Sequence, residues 1–287
     1  MSFKYEICGL NLLSEIELPT LRSRSFEKAD LEILKNDDIK IPKKTIEIFN
    51  GDQTLYKDVH KNIFQISHPK IYISIKSKQE KDASNSLSGL PLGYLLQNNQ
   101  FQVLHGSAVA KNNYACSFIG RSGMGKSSLA LSLLNKDFKL VTEDLCVIKD
   151  KHIYNFSDWV KSDANDLLKI LKPKARIDIK NDSRKRSLYK LDKKYINNKK
   201  AKLHSIYFLD SSKKRSIERL QPSESFKFLF AHSYRKNDID SYSLDQITKI
   251  LEESVCFLYS KDIEKPLEDN TQFLFDHIKE EFSDFIY

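Results

Sequence analysis

Glycine is nearly absent from more than half of this chain. Six of its eight glycines lie between residues 89 and 125, and none follows Gly125 in a sequence of 287 residues. A tail without glycine has no place for the D-x-x-G of a GTPase or the glycine-rich signature of an ABC-type ATPase. N-K-x-D is missing as well, because Asn135-Lys136-Asp137 has the wrong spacing. Cysteine is equally sparse. Cys8, Cys116, Cys146 and Cys256 are scattered through apolar runs and form no C-x-x-C. Buried thiols in a reducing compartment fit this pattern better than a metal centre. No stretch approaches the roughly 18 apolar residues of a membrane span. Met1-Ser2-Phe3-Lys4-Tyr5-Glu6 lacks the pattern of a signal peptide. A cytoplasmic protein without a membrane partner is expected.

What is present describes a soluble globular chain, with 40% hydrophobic and 30% charged residues, long enough for one large or two modest domains. There is no internal repeat and no long low-complexity segment. Net charge is +8, unevenly spread: residues 172–202 hold thirteen Lys/Arg against three Asp, which leaves −2 for the rest. Such a segment either meets an anionic partner or is a solvated Lys/Asn loop. Nucleic acid is not the expected partner, since no aromatic platform interleaves with these charges.

Short alternating or β-branched runs over 4–8, 31–34, 45–49, 62–66 and 71–75 predict a β-rich N-terminal region, residues 1–80, serving as scaffold or acceptor-recognition lobe. Residues 78–86 are polar and read as a boundary. A catalytic domain over 85–287 follows. Its expected helices are 87–98, 127–135, 162–171, 222–234, 241–254 and 270–285. Its expected strands are 101–104, 107–110, 114–119, 138–141, 145–148, 203–209 and 255–259.

The chemistry gathers in the middle. Gly120-Arg121-Ser122-Gly123-Met124-Gly125-Lys126-Ser127 fits G-x-x-x-x-G-K-[ST] in full, between a strand-length apolar run and a helix-like one. Strand, glycine loop and helix together are the setting of a phosphate-binding loop. Glycines let backbone N–H groups approach phosphate oxygens, the helix N-terminus adds a favourable dipole, and Lys126 reaches the β- and γ-phosphates. Ser127 would place its hydroxyl on Mg²⁺. Gly120, Ser122, Gly123, Met124, Gly125, Lys126, Ser127 and Ser128 form the expected nucleotide cradle. Glu143-Asp144 closes an apolar run one helix and one strand later. One carboxylate is expected at the metal and the other at an acceptor hydroxyl.

The run Leu104-His105-Gly106-Ser107-Ala108-Val109, the glycine loop, and Leu140-Val141-Thr142-Glu143-Asp144 together resemble the catalytic core of HPr kinase/phosphorylase. Two further stretches resemble the HPr-kinase-like enzymes of peptide-modification clusters, including lasso-peptide kinases. They are Tyr5-Glu6-Ile7-Cys8-Gly9-Leu10 with Glu17-Leu18-Pro19, and Glu218-Arg219-Leu220-Gln221-Pro222 with His232-Ser233-Tyr234-Arg235. The resemblance implies an α/β fold with a P-loop core related to PEP carboxykinase. It also implies transfer of the ATP γ-phosphate to a serine of a peptide or small protein, with Mg²⁺. Carried over, Lys126 holds the phosphates, and Ser127 and Asp144 hold the metal. Glu143 becomes the general base, and His105 stands beside the transferred phosphoryl group. This chain has Glu-Asp where the bifunctional enzyme has Asp-Asp, which speaks against the reverse phosphorylase reaction. Lys185, Arg186, Arg219, His232 and Arg235 are further candidates for approaching the site. A small-molecule kinase and an ATP-binding sensor without transfer stand as alternatives. Oligomeric state leaves no motif, and a homo-oligomer is compatible with this reading.

Overall fold

The computed structural model describes residues 2–39, 47–50, 53–78, 80–162, 169–171, 174–180, 187–234 and 241–281. Lys185, Arg186 and Arg235 lie outside them, as do most of the helix expected over 162–171 and the end of that over 270–285.

Eight strands form the N-terminal sheet: β1 (Phe3–Ile7), β2 (Leu10–Ser14), β3 (Arg22–Ser23), β4 (Leu31–Lys35), β5 (Glu47–Asn50), β6 (Gln53–Lys57), β7 (Ile63–Ser67) and β8 (Lys70–Ser74). Their order is β3-β1-β2-β4-β8-β7-β6-β5. The β1–β2 turn is the pair Cys8-Gly9, both at positive φ, the mirror-image turn whose twist matches that of a hairpin. Alternation places Tyr5, Ile7, Leu12, Ile33, Phe64, Ile66, Ile71 and Ile73 in the core.

Two helices follow, α1 (Glu80–Leu87) and α2 (Leu90–Asn98). The polar stretch expected as a boundary is thus helical. It buries only Ala83, Ser84 and Leu87, too narrow a stripe to register against its charged residues. Leu92, Leu95 and Leu96 of α2 share one core with the N-terminal sheet and with Val103, Leu145 and Val147 of the strands that carry the acid pair.

The second sheet begins with β9 (Gln102–Lys111) and β10 (Tyr114–Ile119), then α3 (Lys126–Leu133), β11 (Lys139–Thr142), β12 (Leu145–Lys149) and β13 (His152–Tyr154). The expected helix over 127–135 is α3 continued by a 3₁₀ turn, Leu134–Lys136. β14 (Trp159–Ser162), β15 (Ala175–Lys180) and β16 (Ser187–Leu191) make a separate three-stranded sheet in the order β14-β16-β15. Part of the basic segment is therefore strand and not a solvated loop. β17 (Ala201–Ser212), β18 (Ser216–Arg219), α4 (Pro222–His232), α5 (Ser241–Glu253), β19 (Val255–Asp262) and α6 (Leu267–Glu281) complete the chain.

β9 is one continuous strand, although two were expected on either side of His105-Gly106. It pairs antiparallel with β10 on one side and with β11 and β12 on the other. β10, β17 and β19 run parallel, so their carboxyl ends open on the same side, where open α/β sheets bind ligands. Among the described residues no helix is long and apolar enough to cross a membrane.

All four cysteines are free and buried, as their apolar settings led one to expect. Burial pushes the thiols of Cys116 and Cys256 up to about 11 and those of Cys8 and Cys146 higher still. A thiol-reactive disulfide reagent at pH 8 should therefore titrate none of them within minutes in the native protein, and all four after denaturation. Fast native titration would contradict this burial.

Candidate active site

The acid pair sits at a break between two strands. β11 and β12 both run antiparallel to β9, with Thr142 paired to Ala108 and Leu145 paired to His105. They form one interrupted strand in which Glu143 and Asp144 fall opposite Gly106 and Ser107. Three bonds hold the interruption. Gly106 N–H donates to the Asp144 carbonyl (3.1 Å), the Ser107 hydroxyl to the Glu143 carbonyl (2.6 Å), and the Thr142 hydroxyl to the Leu145 carbonyl (2.8 Å). Outside a regular ladder, neighbouring side chains are not bound to the opposite faces that a strand imposes. That is how neighbouring carboxylates come to line the same pocket, of about 400 Å³ with its solvent-facing space included.

The glycine loop spans the carboxyl end of β10 and the first turn of α3. Gly125, at φ +80, is the residue before the helix, a left-handed position that glycine takes without a steric cost. Lys126 is 6% exposed. Its ammonium donates to the carbonyls of Gly120 (2.8 Å) and Arg121 (3.0 Å). Burial lowers its pKa, opposed by the carboxylates of Asp144 and Glu143.

Loop and acid pair meet at Ser127, whose hydroxyl donates to Glu143 Oε1 at 2.6 Å. Ser107 Oγ, on the neighbouring strand, lies 3.4 Å away. Asp144 turns the other way. His105 Nδ1 is 3.3 Å from its Oδ1, and Lys161 Nζ is 3.9 Å from its Oδ2. The resemblance gave the metal to Asp144 and the acceptor proton to Glu143. In the structure it is Glu143 that accepts the Ser127 hydroxyl, the group expected at the metal. The donor set suits Mg²⁺, which takes hard oxygens, one or two carboxylates and substrate phosphate. Among the described residues no cluster of three or more His, Cys, Asp or Glu competes for that role.

Lys161 is the residue that sequence reading missed. It sits on β14, its side chain is only 14% exposed, and it lines the acid-pair pocket with Trp159, Thr20 and Ser88. A single lysine in a short polar strand gives no local signal. Other candidates turn out differently. Arg219 is exposed on the edge strand β18. His232 stacks on Phe208. The two residues after it anchor α4 to β9: Gln102 donates to the Ser233 hydroxyl (2.7 Å), and Tyr234 N–H to the Val103 carbonyl (3.1 Å). The Tyr234 ring also fills the space that a Cβ on Gly93 would occupy.

A second opening joins the first. A groove of about 1140 Å³, its solvent-facing space likewise included, runs between β1, the 17–23 loop, Asp158, Trp159 and Lys190, and it shares Thr20 and Trp159 with the acid-pair pocket. Arg22 fastens this wall by bonding to Asp158 and Asn155. Asn155 in turn donates to the Val141 carbonyl, two residues before Glu143.

No protein-family model and no curated protein matches this chain. Among solved structures it is similar to the Hpr(Ser) kinase/phosphatase from Coxiella burnetii. The identity is 12% and the TM-score 0.30, over 63% of this chain and 99% of that one. A likeness at that level leaves the function to the chemistry of the glycine loop and the acid pair.

Proposed function

We propose that this chain is a kinase of the HPr-kinase-like type, with a P-loop core of the PEP-carboxykinase kind. It transfers the γ-phosphoryl group of ATP to a serine hydroxyl of a peptide or small protein, such as a ribosomally made precursor peptide. The observation that carries this reading is the Ser127–Glu143 bond. It ties a complete phosphate-loop motif to an acid pair lining an open pocket.

Backbone amides of the loop and Lys126 hold the phosphates. Ser127 and Glu143 would hold Mg²⁺, which when bound neutralises charge on the phosphate oxygens. Asp144 accepts the proton of the acceptor hydroxyl. As that oxygen bonds to the γ-phosphorus, the bond from phosphorus to the bridging oxygen breaks, and its electron pair leaves on ADP. His105 and Lys161 orient the Asp144 carboxylate and offset charge at the transferred group. The protein's contribution is positioning and electrostatics.

The groove favours a polypeptide acceptor over a metabolite. It adjoins the acid-pair pocket at Thr20 and Trp159, and two sheet edges, β3 and β14, line it through Arg22, Ser23 and Trp159. Edge strands offer unpaired backbone groups to an extended segment.

Incubation with Mg²⁺-ATP and a serine/threonine peptide pool, beside a Lys126→Ala control, tests the reading by mass spectrometry. A Lys126-dependent phosphoryl adduct on peptide is the expected result. ATP binding without any adduct would move the acceptor to small molecules.

A further inference from the structure

A lysine from the far end of the chain reaches the glycine loop. Lys261 lies near the carboxyl end of β19, which runs parallel to β17 with Lys261 paired to Ser211. β17 in turn runs parallel to β10, whose end feeds the loop. The parallel order therefore delivers Lys261 to the same side of the sheet as the loop. The contact is close: a Cβ built on Gly125 would stand 2.8 Å from Lys261 Nζ. The glycine before α3 thus serves two needs, a left-handed backbone and room for an ammonium group.

We propose that Lys261 is a second phosphate-binding cation of the nucleotide site, absent from the loop motif, that contacts β- or γ-phosphate oxygens of a nucleoside triphosphate. This rests on the nucleotide reading of the loop. Lys126 is already engaged with the loop's own carbonyls from one side, and Lys261 stands at Gly125, where backbone N–H groups at the start of α3 face outward. Among the described residues no carboxylate forms an ion pair with it. Half-burial lowers its pKa, and no neighbouring charge offsets that. An ammonium group held out of water without a counter-charge is costly, and a polyanion supplies the missing partner. The charge of a magnesium-bound triphosphate suits two lysines set at different points of one loop, one at Gly120 and Arg121 and the other at Gly125.

The test is calorimetric titration of Mg²⁺-ATP into the wild type, Lys261→Met, Lys261→Arg and Lys126→Ala, with the melting temperature of each nucleotide-free protein as a folding control. Lys261→Met is expected to raise the Kd for ATP at least about tenfold while melting no lower than the wild type, and Lys261→Arg to recover most of the affinity. Unchanged affinity in Lys261→Met, while Lys126→Ala loses binding, overturns this inference alone. So does a loss of affinity matched by a lower melting temperature without nucleotide, which would mark Lys261 as structural. A wild-type protein that binds no ATP overturns the nucleotide reading with it.

Discussion

Asp144→Asn is expected to lower phosphoryl transfer by about 10²–10⁴-fold, the usual worth of a positioned base, while nucleotide affinity stays within a few-fold of the wild type. Its carboxylate lies beside His105 and Lys161, whereas the Ser127 hydroxyl of the loop is held by Glu143. Removing its charge takes away a proton acceptor and leaves the cradle intact. Glu143→Gln should fail differently. Glu143 accepts the Ser127 hydroxyl, so its loss should raise the Mg²⁺ concentration needed for half-maximal rate and weaken nucleotide binding along with turnover. Lys126→Ala, which empties the loop of its buried ammonium, should lose both binding and transfer. The measurement is kcat and nucleotide Kd for each variant across a Mg²⁺ series. The reverse pattern, with Glu143→Gln binding normally and Asp144→Asn demanding more metal, would return the base to Glu143.

Gly106→Ala should be the most damaging small substitution in the scaffold of the site. A methyl group there would meet Ile119 Cδ1 at 2.3 Å, the Phe118 carbonyl oxygen at 2.7 Å and Cys146 Sγ at 3.1 Å. The isoleucine could rotate away, but the carbonyl belongs to the β9–β10 ladder and cannot move alone. Overpacking of this kind costs about 1–3 kcal/mol, roughly 2–5 °C in melting temperature for a chain of this size. The same shift would strain the Gly106–Asp144 backbone bond and so disturb the break that holds the acid pair. Transfer should therefore fall further than the loss of folded protein explains. An alanine variant that melts like the wild type would show that β9 and β10 can separate without cost. The glycine after His105 is thus a packing requirement between two strands and the acid pair, while His105 next to it faces the Asp144 carboxylate.

Several elements were legible because their signals are local. The glycine loop is bounded by an apolar strand and a helix within thirty residues, and β10 and α3 are found there. The final strand β19 and the helices on either side of it showed in apolar spacing. Other elements had no local signal. β13, β14, β16 and β18 are short and rich in Lys, Ser or His, and pairing with a neighbour makes them strands. β9 reads as two runs because His105-Gly106 is polar and small. Partners on both sides carry the ladder through it.

The sequence by itself determined which residues could do chemistry here: a loop able to cradle phosphates, a hydroxyl and a lysine at its end, and two adjacent carboxylates. Those depend on residue type and spacing along the chain, and both can be read there. Which carboxylate meets Ser127 was decided only by tertiary structure, because the break between β11 and β12 opposite Gly106 and Ser107 brings Glu143 to that hydroxyl. So was the arrival of Lys161 and Lys261, which lie 35 and 135 residues beyond Lys126 and reach the site because β14 and β19 end beside it. Contacts between residues far apart in sequence depend on strand order and register, and these follow from packing the whole chain.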